Sequence, residues 1–220
     1  MKKRLPIFVL FFISIISNAQ NKGLGKNDPE AKKILDAVST KFKSYKAVQA
    51  TFSVQSENAA GKSIGSKTGT VIMKGNKYKI SVTGQDIYCD GNSVSTYDKA
   101  SNEITITKVD PSANTITPQK LFTNFYDQDF LYKLNGDKVE GGKNLKEIEL
   151  TPTDKGKPFF KVLLYIDAVA NTIIKTKLFE KAGNKFTYAV KSINGTVKIT
   201  DNQFGLDTKK YPGVEVVDLR

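Results

Sequence analysis

Cys89 is the chain's one cysteine, and it stands between Tyr88 and the Asp90-Gly91 pair. A nucleophilic thiol needs a neighbouring base to ionise it. The chain has no histidine, so Cys89 reads as a structural thiol. The same absence excludes a Ser-His-Asp triad, a Cys-His pair and a histidine-ligated zinc. A lone cysteine excludes an internal disulfide and any CxxC motif. Asp127 and Asp129 form a second candidate pair. Glycoside hydrolysis needs carboxyl groups opposed across a sugar cleft, and isolated tyrosines give no sugar platform, so the pair reads as a polar turn. Asp86 and Asp90 lack the spacing of a calcium loop. No metal, no cofactor and no catalytic residue is expected, and the composition favours a binder over an enzyme.

The elements that would position a binding surface are legible in the periodicity. Asp28-Pro29 reads as an N-cap with proline in the first turn. Ile34, Leu35, Val38, Phe42 and Tyr45 then recur at helical spacing, predicting one helix over 29–45. From Ala47 the period changes to two: Val48, Ala50, Phe52 and Val54 alternate with polar residues. Asn-Gly, Asp-Gly and Gly-Gly pairs then punctuate the chain at hairpin intervals, as at Asp90-Gly91, Asn135-Gly136 and Gly141-Gly142. The pattern predicts a mainly β fold, about eleven short strands in one large antiparallel sheet, strongly curled or nearly closed. Between Pro111 and Asp129 the alternation stops. Leu121, Phe122, Phe125 and Tyr126 there share one face of a short helix. Such a helix cannot join the ladder; as a fixed core plug or as a lid over an apolar hollow, it must cover the sheet.

Residues 1–19 read as a signal peptide. Lys2, Lys3 and Arg4 precede the apolar run Ile7 to Ile16, and Ser17-Asn18-Ala19 supplies small residues before a cut ahead of Gln20. No cysteine follows the cut, so the mature chain, one domain over 20–220, is expected to be exported and soluble rather than lipid-anchored. The formal net charge is +12. Arginine occurs only at Arg4 and Arg220, and the lysines are scattered along the sequence. Dispersed lysine lacks the planar fork that reads bases and phosphates. No nucleic-acid partner is expected.

Five runs, in order, carry a resemblance. They are Ala47-Val48-Gln49-Ala50-Thr51-Phe52-Ser53, then Gly69-Thr70-Val71-Ile72-Met73-Lys74, then Asp90-Gly91-Asn92 leading into Ser93 to Tyr97. Last come Phe204-Gly205-Leu206-Asp207 and Pro212-Gly213-Val214-Glu215-Val216. Collinear over almost all of the mature chain, they resemble the LolA-like family of periplasmic lipoprotein carriers. The resemblance implies an open antiparallel half-barrel covered by an N-terminal helix and a short lid helix. It also implies a hydrophobic hollow for the acyl chains of lipoproteins. The carrier would act as a monomer and receive cargo from an inner-membrane ABC-type transporter. It would then cross the periplasm to an outer-membrane acceptor. The family's arginine after the second-strand lysine is absent: Gly75-Asn76 follows Lys74. Lys74 is the residue that could stand in for it.

On this reading the hollow is lined by Phe52, Val54, Val71, Met73, Tyr78, Ile80, Ile104, Ile106, Leu163 and Tyr165, with Leu121, Phe122 and Phe125 as the lid. A slip of one register step would exchange inward for outward residues. Burying about three chains of ~16 carbons at ~0.8 kcal/mol per methylene would yield over ~35 kcal/mol. Non-covalent affinity saturates near ~20 kcal/mol, so burial of cargo must be partial or opposed by displacing a cover. Two other readings share the sheet: an exported carrier of a different lipophilic ligand, and a β-rich envelope interaction module.

Overall fold

Residues 25–110 and 126–220 are described by the computed structural model. Helix α1 runs Pro29–Lys43. Asp28 caps it, its carboxylate accepting the Glu30 and Ala31 amides at 2.9 and 3.4 Å, and Lys41 and Lys43 face the negative end of the dipole. The strands are β1 Val48–Glu57, β2 Ser63–Lys74, β3 Lys77–Val82, β4 Gln85–Cys89, β5 Ser93–Asp98 and β6 Glu103–Lys108. After a short helix α2, Tyr126–Asp129, come β7 Phe130–Glu140, β8 Lys143–Pro152 and β9 Phe159–Asp167. The last strands are β10 Thr172–Glu180, β11 Lys185–Asn194 and β12 Glu215–Asp218.

The twelve strands among the described residues form one sheet in the order β12-β6-β5-β4-β3-β2-β1-β11-β10-β9-β8-β7. The sheet is open, because its end strands β12 and β7 are not neighbours. Eleven strands are antiparallel hairpin partners or joined by the β1–β11 pair. The twelfth departs from the expected pattern: β12 runs parallel to β6, Val216 opposite Ile104. Its four residues are too few to show alternation, and the long excursion from Gly195 onward lets a parallel pairing close.

Helix α1 lies across one face of the sheet. Its Ala31, Leu35 and Val38 are buried with Phe130 and Tyr132 of β7, Ile148 and Leu150 of β8, and Val162, Leu164 and Ile166 of β9. Each such leucine, isoleucine or valine contributes about 1.5–3 kcal/mol by leaving water. A second cluster on the same face joins Val48, Ala50, Val71, Met73, Tyr78 and Cys89, with Phe42 and Tyr45 from the end of α1 packed on it. The opposite face carries a third cluster, in which Ala47, Ile199 and Phe204 pack with Ile72 and Val197.

Candidate functional site

Cross-strand register assigns each side chain to a face, since directly paired residues point the same way. On the helix-covered face Phe52 pairs with Gly69 and Val190, and Val54 with Lys67 and Tyr188. Ser56 pairs with Phe186, which pairs in turn with Leu178. Val82 continues the row beyond Gly69. Val54, Val82, Phe186 and Val190 are half-buried, and Tyr188 is 37% exposed. Among the described residues they belong to neither packed cluster. An apolar stripe therefore crosses the sheet between two well-packed regions.

Glycine makes room for part of this stripe. A Cβ on Gly69 would stand 2.8 Å from Phe52 Cζ and 2.7 Å from both Val82 Cγ1 and the Ser81 carbonyl oxygen. The bare backbone lets the Phe52 ring lie across the ladder. At the margin, burial raises the pKa of the Tyr188 phenol, and the Glu180 carboxylate adds to the shift.

Of the residues expected to line a hollow, the register brings Phe52, Val54, Val71, Met73, Tyr78 and Ile80 onto this one face. It sends four others to the opposite face. Ile104 pairs with Tyr97 and Ile106 with Ser95. Both lie on the side that carries Tyr88, whose hydroxyl meets that of Tyr211 at 3.0 Å, and the Tyr97 and Tyr211 rings meet at a tilt of 48° with centroids 4.2 Å apart. Ile104 is fully buried there. Leu163 and Tyr165 pair with Glu149 and Glu147 on one side and with Lys177 and Lys175 on the other. Tyr165 holds the Lys175 ammonium 4.0 Å from its ring centroid. Alternation identified buried positions in β6 and β9, but both faces of this sheet bury apolar residues. Leu121, Phe122 and Phe125 lie outside the described residues.

Sequence reasoning passed over Val82, Leu178, Phe186, Tyr188 and Val190. The alternation Phe186, Tyr188, Val190 was a sufficient signal; what it lacked was the β1–β11 pairing, which joins strands far apart in the chain.

A polar network ties α2 to α1. Tyr126 donates to Asp36 at 2.8 Å, and Tyr132 donates to Asp127 at 2.9 Å. Lys32 bridges both carboxylates, 3.1 Å from Asp36 and 3.0 Å from Asp127. Desolvation works to raise the Asp36 pKa, yet the hydrogen bonds from Tyr126 and Lys32 together outweigh it and lower it. Burial and the bond to Asp127 push Tyr132 up to about 12. Asp127 is thus an acceptor in a structural turn. Lys74 donates to Asp201 at 2.7 Å, as does Lys77, and so pins the C-terminal segment; the lid that it could hold in place of the family arginine lies outside the described residues. A depression of about 730 Å³ opens at the β6–β12 end, away from the apolar stripe. Lys108, Val109 and the paired Asp218 and Arg220 are among its lining residues.

Residues 43–207, well over half of the chain, match the family described as outer membrane lipoprotein carrier protein LolA. The chain belongs to the LolA family. Its fold is shared by an uncharacterized conserved protein from Thermus thermophilus, at 16% identity and a TM-score of 0.57, over 86% of this chain and 99% of that one. A LolA superfamily protein from Nitrosomonas europaea is similar at 14% identity and a TM-score of 0.44, covering 80% and 98%. The Mycobacterium tuberculosis lipoprotein LppX gives 11% and 0.49, over 79% and all of that chain. No curated protein sequence matches the chain. In this LolA-family chain the family match begins at Lys43 and takes in both strands of the Phe52–Gly69 pair.

Proposed function

We propose that this LolA-family protein is an exported carrier that holds the acyl chains of a lipoprotein against the half-buried stripe of its helix-covered face. The observation that carries the reading is that stripe: Val54, Val82, Phe186, Tyr188 and Val190 between two packed clusters. Buried apolar area binds acyl chains without directional demands, and a stripe narrower than the whole face limits how much chain is buried. Partial burial keeps affinity within the range from which cargo can be released. On this reading the signal peptide, residues 1–19, is removed before Gln20. The carrier then takes lipoproteins from an inner-membrane transporter and gives them to an acceptor at the outer membrane. It makes and breaks no bond.

An acyl-chain fluorophore tests this. Saturable binding at micromolar protein is expected, with displacement by a synthetic triacyl peptide and loss of binding in Val54→Asp. No saturable binding by a folded protein would end the reading. Mass spectrometry of copurifying material separates triacylated protein from free lipid, the latter pointing to carriage of another lipophilic ligand.

A further inference from the structure

The lysines that are dispersed in the sequence are collected by the fold. Segments 41–46, 74–79, 191–198 and 201–210 together hold ten lysines against two aspartates, Asp201 and Asp207. A continuous run of contacts joins them. A Cβ on Gly195 would lie 2.0 Å from the Tyr45 ring. Val197 and Ile199 pack with Ala47 and Ile72. Lys79 pairs with Ile72 on the same face, and its ammonium stands 4.7 Å from the Tyr88 ring centroid. Tyr88 meets Tyr211, next to Lys210. Asp201 is shared by Lys74 and Lys77, and the Asp207 carboxylate accepts the Lys209 amide as a turn cap. Among the described residues, no ion pair joins Lys46, Lys191, Lys198 or Lys210 to a carboxylate, and all four are exposed.

We infer that this basic strip, running from the α1–β1 corner to Tyr211 on the face away from the apolar stripe, docks the protein on an anionic lipid bilayer. Charge complementarity selects the occupant. Lysine is a hydrated point charge on a flexible stem and makes no geometric demand on its partner. A strip of lysines without a single arginine suits a diffuse sheet of headgroup phosphates better than a particular carboxylate. Each lysine brought near such a surface strengthens binding about fivefold.

Flotation of the full mature chain with vesicles is the experiment. The protein should bind phosphatidylglycerol-containing vesicles, ignore phosphatidylcholine vesicles, and dissociate as salt rises. The combined substitution Lys46→Gln, Lys191→Gln, Lys198→Gln and Lys210→Gln should weaken binding by roughly several hundredfold. The same change of charge at exposed Lys62, Lys133, Lys138 and Lys155 should leave it within about threefold. Equal losses in the two variants would reduce the effect to net charge and overturn the strip. Tighter binding to polyglutamate than to vesicles would transfer it to an acidic protein partner. Competition by the acyl fluorophore would assign vesicle binding to the helix-covered face instead. An unaltered unfolding midpoint in both variants confirms that folded proteins are being compared.

Discussion

Phe52 lies directly across the β1–β2 ladder from Gly69, and its ring occupies the space that any Gly69 side chain would need. The added methyl of Gly69→Ala would meet the Ser81 carbonyl as well as the Phe52 ring, so backbone as well as side chain must shift. Overpacking of this kind costs about 1–3 kcal/mol. Urea unfolding should show a lower midpoint with unchanged slope. Acyl-probe affinity should fall with it, because the displaced Phe52 borders the stripe. A variant as stable as the parent would show that the ladder accommodates the methyl.

Cys89 offers a probe of the second cluster. It is buried beside Tyr78, and desolvation raises its thiol pKa. The thiolate is the reactive form. Native protein should therefore react with an aromatic disulfide reagent on the order of a hundredfold more slowly than protein in denaturant. Comparable rates would mean that this end of the sheet opens freely.

Helix α1 and most strands were legible because each rests on local chemistry. Asp28-Pro29 starts the helix as expected, and the helix ends at Lys43, before Tyr45. The alternation that begins after Ala47 is strand β1, Val48–Glu57. Assigning faces was harder. In β9, Val162, Leu163, Leu164, Tyr165 and Ile166 are apolar on both sides, and the register shift between Phe179 and Glu180 adds a residue to the count. In β6, Ile104 is buried as its alternation suggests, but under the Tyr97–Tyr211 pair, whose second ring arrives from the chain's far end. Periodicity reports burial; only pairing says on which side.

Asp201 should make the C-terminal segment sensitive to acid. Hydrogen bonds from Lys74 and Lys77 hold its carboxyl down to about 2, against an ordinary 3.8. A depressed folded-state pKa contributes stability that is present above the unfolded value and lost as pH falls through the folded one. The segment around Ile199 and Phe204 should thus loosen between about pH 4 and pH 2. Limited acid proteolysis followed by mass spectrometry would locate cuts after Asn194. Asp201→Asn should give such cuts at neutral pH; a cleavage pattern identical to the parent's would show that the apolar cluster alone retains the segment.

The α1–α2 network makes a sharper case, because two measurements must agree. Tyr126 is buried, and its hydroxyl, pushed far above the usual phenol range by burial and by Asp36, remains a donor at every working pH. Tyr126→Phe deletes that donor and leaves Asp36 with Lys32 as its neighbour. Asp36 is partly exposed, so water replaces some of the loss, and the cost should fall near the low end of the ~0.5–1.5 kcal/mol typical of a hydrogen bond. Asp36→Asn in the Tyr126→Phe background should then cost less than in the parent, the difference being the coupling between the two residues. The second measurement is pH dependence. Because the Asp36 pKa is lowered in the folded state, its contribution is present at neutral pH and is lost as pH falls below about 4. Losing the phenol donor moves the Asp36 pKa back toward its ordinary value, so the acid-sensitive part of the stability should shrink in Tyr126→Phe. Additive energies in the double-mutant cycle, together with an unchanged stability profile below pH 4, would show that the Tyr126–Asp36 bond does not hold α2 to α1.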